Sequence, residues 1–178
     1  MLHIVGDINL TDWHFNVGFG IGSNIAKGLD PFKYIERNKN DIWVGNFEGV
    51  ASSVSVNKGF YRNSFRVEPD TLSTLHHFDY YGFANNHAME HGGEAYLETV
   101  KALESYGSMV FGLDERRSCT FEHQGQQISI VGLCLRVEES EHKPLYWYNP
   151  EYSEIIDEVN SLPSKSFKVL FLFIKILY

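Results

Sequence analysis

The chain is poor in cysteine, since Cys119 and Cys134 are the only two in its 178 residues. Two cysteines are too few for a thiolate zinc site or for a disulfide scaffold. They flank a predicted hairpin, so a disulfide between them is conceivable, but the favoured prediction is two unpaired, buried thiols. Without a covalent frame, the fold has to be held together by a hydrophobic core.

Clusters of basic residues and long apolar segments are also absent from the sequence. The formal net charge is −8, and Arg116-Arg117 is an isolated basic pair. This excludes nucleic acid as the main partner, because its phosphate backbone is bound by clusters of lysine and arginine. The apolar run 169–174 is too short to span a bilayer, and no signal peptide precedes the first strand. We therefore expect a cytoplasmic protein from the sequence as given, and a membrane-associated or extracytoplasmic one if an N-terminal segment is missing.

What the sequence does contain is a regular alternation of strand and helix patterns. Hydrophobic residues make up 43% and aromatic residues 15% of the chain, enough for one domain over residues 1–178. Helical spacing predicts helices at 94–106 and 152–162, with shorter helices at 30–35 and 71–77. The glycines at 18, 20 and 22 predict a flexible loop. Apolar runs predict strands at 2–7, 41–49, 78–83, 109–111 and 168–176, and a hairpin at 119–123 and 128–135.

Polar side chains stand at the ends of three predicted strands. Asp7 ends the first strand, Asn46 and Glu48 alternate at the end of the second, and Asn86 with His87 follows the third. Ligands bind at such strand ends in open α/β sheets. Carboxylate, amide and imidazole groups favour hard or borderline divalent ions, and a carboxylate between two ions can bridge them. The sequence therefore indicates a metal site, beside which a histidine can protonate a leaving oxygen.

The segment around His87 has two other interpretations. Residues 87–91 fit the pattern H-x-x-E-H of an inverted zinc protease, in which His87, Glu90 and His91 would act from one face of a helix. Asn85-Asn86 on one side and Gly92-Gly93 on the other make such a helix unfavourable. The simpler alternative is a polar loop whose amides cap the following helix.

An ordered series of short motifs gives the chain a family resemblance. Over residues 2–172 it resembles the CapA family of poly-γ-glutamate capsule synthesis proteins, which is similar in turn to the calcineurin-like metallophosphoesterases. The motifs that carry this resemblance are Gly6-Asp7, Asp30-Pro31-Phe32, Asn46-Phe47-Glu48-Gly49, Asn57-Lys58-Gly59, Phe65-Arg66 and Ala84-Asn85-Asn86-His87.

The resemblance implies an α/β fold of the metallophosphatase type, an α-β-β-α sandwich around two divalent ions (Mn, Fe, Zn or Mg). Asp7 and Asn86 would each bind one ion, Glu48 would bridge the two, and His87 would donate a proton. The implied supporting residues are Asn9, Asn46, Asn85 and His91. The implied substrate is a polymer or a phosphorylated small molecule, and the implied partner is a membrane-bound capsule synthesis complex.

The sequence departs from the family pattern at its C-terminal end. Family members continue into a further histidine motif after the last apolar strand, where this sequence has Phe173-Ile174-Lys175. The resemblance therefore implies only the N-terminal portion of the sandwich, with an incomplete sheet and impaired hydrolase activity. A non-catalytic remnant or binding module with the same fold is the alternative function.

Overall fold

The computed structural model describes residues 1–12, 16, 18–75, 78–135 and 143–173. The chain divides into two compact units. The first comprises Met1–Tyr81 and His87–Val110, and the second comprises Gly82–Asn86 and Phe111–Tyr178. A single domain over residues 1–178 remains a prediction.

Nine strands and three α-helices are present in the described part of the chain. The helices are α1 (Ile21–Ala26), α2 (Gly92–Ser105) and α3 (Tyr152–Ser161), and two 3₁₀ helices span Gly59–Asn63 and Pro69–Leu75. The strands are β1 (Leu2–Ile8), β2 (Ile42–Phe47), β3 (Val50–Ala51), β4 (Arg66–Val67), β5 (Tyr80–Gly82), β6 (Met109–Phe111), β7 (Ser118–His123), β8 (Gln126–Cys134) and β9 (Phe167–Phe173).

A four-stranded sheet in the order β1-β2-β5-β6 carries the predicted site, and the boundary between the units passes through β5 and β6. β1 and β2 are parallel, with Asp7 opposite Asn46 and Ile8 opposite Phe47. Residues 43–47 of β2 are all buried, as is typical of an inner strand covered on both faces. Because parallel strands end at the same edge of a sheet, this register brings the polar ends of β1 and β2 together.

The first unit also holds α2, which packs on the short β3 strand. Its inward residues are Ala95, Tyr96, Thr99, Val100 and Leu103. The apolar spacing of the sequence also predicts Leu97 and Tyr106 on this face, but both are exposed. The Thr99 hydroxyl oxygen accepts a hydrogen bond from the Ala51 backbone N–H at 3.0 Å. Of the helices in the described ranges, α2 is the longest at 14 residues, and none is long and apolar enough to cross a membrane.

The second unit is built on a three-stranded sheet in the order β7-β8-β9. β7 and β8 form the predicted hairpin, and β9 adds in parallel to β8. α3 packs Ile155 and Val159 against a buried cluster made by Val131, Leu133, Trp147 and Leu162. Cys119 and Cys134 are both buried and form no disulfide, as predicted, and burial raises the pKa of the Cys119 thiol to about 12.

These elements confirm the predicted class, a mixed α/β fold with parallel strands and helices. Three local predictions were wrong. The glycine-rich segment is not all loop, since α1 begins at Ile21. Residues 31–34 form turns in place of a helix, with the Phe32 N–H donating to the Asp30 carboxylate at 2.8 Å. The helix expected at 71–77 is the 3₁₀ helix that ends at Leu75. Positions 76 and 77 lie outside the described residues, as do 174–176 of the last predicted strand.

Candidate functional site

Asp7 and Asn46 are joined where β1 and β2 run side by side. The Asn46 side chain is buried, and its Nδ2 donates a hydrogen bond of 2.7 Å to Oδ1 of the exposed Asp7. The parallel register places the two residues directly opposite each other. Asn46 therefore fixes the direction of the Asp7 carboxylate. Its role in supporting a metal site remains a prediction.

Glu48 lies one residue beyond β2, and its backbone N–H donates to the Ile8 carbonyl at 3.0 Å. The Asn9 Nδ2 approaches Glu48 Oε2 at 3.4 Å, while the Asn9 Oδ1 accepts hydrogen bonds from the backbone N–H and the hydroxyl of Thr11. Asn9 is thus held by its own turn and presents its amide to Glu48. The supporting role expected of Asn9 remains a prediction.

The Glu48 carboxylate is affected by a second carboxylate at this edge of the sheet. The pKa of Glu48 is raised, first by burial and second by the negative charge of Asp7, while His87 and Asn9 act in the opposite direction. Only 16% of the Glu48 side chain is exposed. A buried acid next to a second acid is stabilised by a cation, so this pair has the electrostatic character of a cation site.

His87 adds an imidazole to the same site. Its Nε2 is 3.7 Å from Glu48 Oε1, and its Nδ1 is 2.5 Å from Glu90 Oε1. The ring is stacked on Phe65, with centroids 3.6 Å apart and planes 9° from parallel. Since the Glu90 carboxylate can only accept, Nδ1 carries the proton of this hydrogen bond. Nε2 is then the nitrogen that faces Glu48 and can exchange a proton there.

His91 does not face these carboxylates. It is fully buried, its Nδ1 lies 2.6 Å from the Ser55 hydroxyl, and its Nε2 lies 2.6 Å from the Ser64 carbonyl oxygen. A carbonyl only accepts, so Nε2 carries the hydrogen and Nδ1 accepts from Ser55. Burial lowers the pKa of His91, which favours the neutral ring.

The zinc-protease interpretation is contradicted by this segment. Residues 87–91 form turns, and α2 begins only at Gly92. The two histidines therefore do not share the face of one helix, and His91 already uses both ring nitrogens. Glu90 pairs with His87 instead of activating a water for a zinc ion shared by the two rings.

Asn85 and Asn86 belong to the second unit, and both side chains are buried. The Asn86 Oδ1 is a buried oxygen for which the described residues provide no hydrogen-bond partner. Such an oxygen is costly to bury unless something binds to it. The roles of Asn86 as a metal ligand and of Asn85 as a supporting residue remain predictions.

The donor set in the first unit suits a hard divalent ion, because it consists of carboxylate oxygens with an imidazole beside them. The unpartnered Asn86 Oδ1 is the same kind of donor. Within the described ranges, however, no group of three or more His, Cys, Asp or Glu side chains is arranged to hold a metal ion. The presence and number of bound metal ions therefore remain predictions.

Two contacts at the site were not predicted from the sequence. The pairing of Glu90 with His87 has a sequence signal, because residues three apart in a turn can meet, but the H-x-x-E-H pattern favoured another role for Glu90. The stacking of Phe65 on His87 has no local signal, since the two residues are far apart in the chain.

Sheet and site together define an α/β protein with a carboxylate and histidine cluster at the ends of parallel strands. The family model of the bacterial capsule synthesis protein PGA_cap matches residues 2–166. The chain therefore belongs to this family of bacterial capsule synthesis proteins. No curated protein matches the chain.

Proposed function

We propose that this capsule synthesis protein is a metal-dependent phosphoester hydrolase with a dinuclear site. The observation that carries the proposal is the orientation of His87, with Nδ1 on Glu90 and Nε2 3.7 Å from the Glu48 carboxylate. An imidazole fixed in this way is suited to proton transfer beside a negatively charged site.

Each residue has a distinct role in the proposed hydrolysis. Asp7 and Glu48 would hold divalent ions, which supply Lewis-acid activation of water and of the phosphoryl group. Asn86 is proposed as a further ligand because its buried Oδ1 is unpartnered among the described residues. As the water oxygen bonds to phosphorus, the water would lose one proton to solvent. The P–O bond to the leaving group would break, and protonated His87 would transfer its Nε2 proton to the leaving oxygen.

The proposed substrate is a phosphorylated small molecule or a capsule polymer such as poly-γ-glutamate, and the proposed partner is a membrane-bound capsule synthesis complex. A carboxylate-rich site without a basic cluster favours a substrate that binds through cations. The acidic composition of the chain agrees with this, since the formal net charge is −8.

The test is turnover of bis(p-nitrophenyl) phosphate by the purified chain, with and without Mn²⁺. Wild type should show Mn²⁺-dependent release of nitrophenol, which Glu48→Gln and His87→Gln should lower at least tenfold. Glu94→Gln, at an exposed position on α2, is the matched control and should leave turnover unchanged. Metal-independent turnover, or equal rates in all variants, would contradict the proposal. The wild-type rate in the same assay also tests the impaired hydrolase activity that the C-terminal departure from the family pattern implies.

A non-catalytic binding module is the second candidate function. It is favoured by the lack, among the described residues, of a group of three His, Cys, Asp or Glu side chains that could hold a metal. Calorimetric titration with Mn²⁺ distinguishes the two candidates. Two ions per chain support the hydrolase, whereas one ion or none supports the binding module.

A further inference from the structure

Phe65 has an unusual backbone conformation for a large side chain. Its φ is +51°, in the left-handed region that glycine and asparagine occupy most easily, and the residue is buried. A residue other than glycine keeps such a conformation only where its surroundings hold it, and such residues are concentrated at functional sites. The contacts on both sides of Phe65 therefore show what maintains the conformation.

The backbone carbonyls of Ser64 and Phe65 both accept hydrogen bonds from other segments of the chain. The Ser64 carbonyl accepts from Nε2 of the buried His91 at 2.6 Å. The Phe65 carbonyl accepts from the Val50 N–H at 2.7 Å. Two successive carbonyls are therefore fixed by partners that are distant in sequence.

Arg66 fixes the chain on the other side of Phe65. Its guanidinium is buried and donates through Nε to the Arg62 carbonyl at 3.0 Å, through Nη1 to the Ser52 carbonyl, and through Nη2 to Asn63 Oδ1 at 3.0 Å. These bonds explain why a cation is buried at this position. With His91, they hold the backbone of Phe65 from both directions.

The ring of Phe65, whose backbone is held by these bonds, packs directly against the imidazole of His87. It lies flat against the imidazole at a centroid distance of 3.6 Å. The Phe65 carbonyl also lies against Gly49, next to Glu48, where a Cβ would be only 2.9 Å from the oxygen. Phe65 thus contacts both the segment that carries Glu48 and the ring that faces Glu48.

We infer that Phe65 is a positioning residue, held in a strained conformation by His91 and Arg66, which fixes the plane of the His87 imidazole so that Nε2 faces Glu48. Stacking sets the plane of the ring, and the hydrogen bond to Glu90 sets its rotation within that plane. The consequence for catalysis rests on the proposed hydrolase function, whereas the positioning of the ring does not.

The test is the tautomer of His87, measured by ¹⁵N NMR of the side chains in the metal-free full chain. Wild type should show His87 mainly as the Nδ1–H form and His91 as the Nε2–H form. Phe65→Leu should give His87 a mixture of both forms, with less than threefold preference, because a ring free to tilt loses its hydrogen bond to Glu90. Phe65→Tyr keeps an aromatic ring and should restore the wild-type ratio.

Two further readouts separate positioning from simple packing. His91 should keep its tautomer in both variants, which shows that the surrounding fold is intact. Phe65→Gly, which relieves the backbone conformation but removes the ring, should give the same mixture at His87 as Phe65→Leu. An unchanged His87 tautomer in Phe65→Leu and Phe65→Gly would overturn the inference.

The kinetic part of the test depends on the proposed function. With Mn²⁺ and bis(p-nitrophenyl) phosphate, Phe65→Leu should lower kcat about tenfold and leave KM unchanged, and Phe65→Tyr should recover most of kcat. A wild-type chain without turnover would refute the hydrolase proposal, while the NMR measurement would still decide the role of Phe65. A wild-type kcat in Phe65→Leu would overturn the catalytic part of the inference, because the plane of the ring would then not affect turnover.

Discussion

The surroundings of His87 and His91 differ sharply, although the two residues are four positions apart. His87 is partly exposed, pairs with one carboxylate and faces another. His91 is fully buried and binds a hydroxyl and a carbonyl, both uncharged. The same side chain therefore serves one region that contains carboxylates and another that is built from uncharged groups.

The difference shows that one short polar segment can hold both a histidine that stabilises the fold and a histidine that faces the candidate site. Burial lowers the pKa of His91, so this ring stays neutral and acts as a fixed connection between the segments of Ser55 and Ser64. His87 keeps one nitrogen facing Glu48. We expect mutations around His91 to affect mainly folding stability, and mutations around His87 to affect mainly the proposed chemistry.

The largest expected effect comes from His91→Ala. The substitution leaves a cavity at a fully buried position and removes the hydrogen bonds that the His91 ring makes to the partly buried Ser55 hydroxyl and Ser64 carbonyl. We expect the free energy of unfolding to fall by about 3 kcal/mol. Urea denaturation of the metal-free chain measures the change. The matched control is His87→Ala, for which the loss should be about 1 kcal/mol or less, and equal losses would remove the distinction between the two regions.

Gly49→Ala tests the close contact between Gly49 and the carbonyl of Phe65, the residue whose ring stacks on His87. Gly49 has φ +132°, and an added Cβ would lie 2.9 Å from the Phe65 carbonyl oxygen. We expect a loss of about 2 kcal/mol, because both the backbone and the contact are unfavourable for alanine. Gly6→Ala is the control, since a Cβ there meets nothing within 4 Å. Similar unfolding midpoints for both variants would show that the backbone at residue 49 and the Phe65 carbonyl both adjust easily.

Ser55→Ala removes the hydroxyl bound to Nδ1 of His91. The buried nitrogen then has no donor in its former position, which should cost about 1.5 kcal/mol. Thermal unfolding in the absence of metal measures this loss. Ser53→Ala, at an exposed position in the same loop, should lower stability by less than about 0.5 kcal/mol. A stable Ser55→Ala variant would mean that the Ser64 carbonyl alone holds the ring.

The contrast between the two histidines also marks how far the sequence could predict the structure. Continuous apolar runs predicted β1, β2 and the hairpin, because burial on a sheet leaves a local pattern. The polar ends of these strands indicated that Asp7 and Asn46 lie at one edge of the sheet, where the structure joins them by a hydrogen bond that was not itself predicted.

Contacts between distant segments left no such pattern. The burial of His91 depends on Ser55 and Ser64, and the stacking of Phe65 depends on residues more than twenty positions away. Nothing local predicts a positive φ at a phenylalanine, because the conformation is imposed by tertiary contacts. The sequence could therefore supply candidate site residues, but it could not predict how their side chains are oriented.

Glu48→Gln tests the electrostatics of the region around His87. Burial and Asp7 raise the pKa of Glu48 in the folded chain, so the folded state holds its proton more tightly than the unfolded state. Stability then falls as the pH rises from the ordinary value of 4.5 to the raised pKa. The glutamine variant should be more stable than wild type at pH 7 and should lose this advantage below the ordinary value.

Urea denaturation at pH 4 and pH 7, without metal, checks the prediction for Glu48. Glu94→Gln is the control and should show no such pH-dependent gain, because Glu94 is exposed. Added Mn²⁺ should stabilise wild type and not Glu48→Gln, since only the carboxylate binds the ion well. A variant that is less stable than wild type at pH 7 would show that the charge of Glu48 is already neutralised by its surroundings.

Glu90→Gln should have the smallest effect on stability, because it replaces the partly exposed acceptor of His87 Nδ1 with an amide oxygen that also accepts. We expect a loss below about 0.5 kcal/mol, which is less than for Ser55→Ala at the corresponding nitrogen of His91. The proposed turnover should still fall, because an amide stabilises the protonated imidazole less well than a carboxylate does. Thermal unfolding and Mn²⁺-dependent turnover, measured on the same preparation, separate the two effects. If stability and turnover fell together, as expected around His91, then His87 would also be a structural connection and the two regions would not differ in kind.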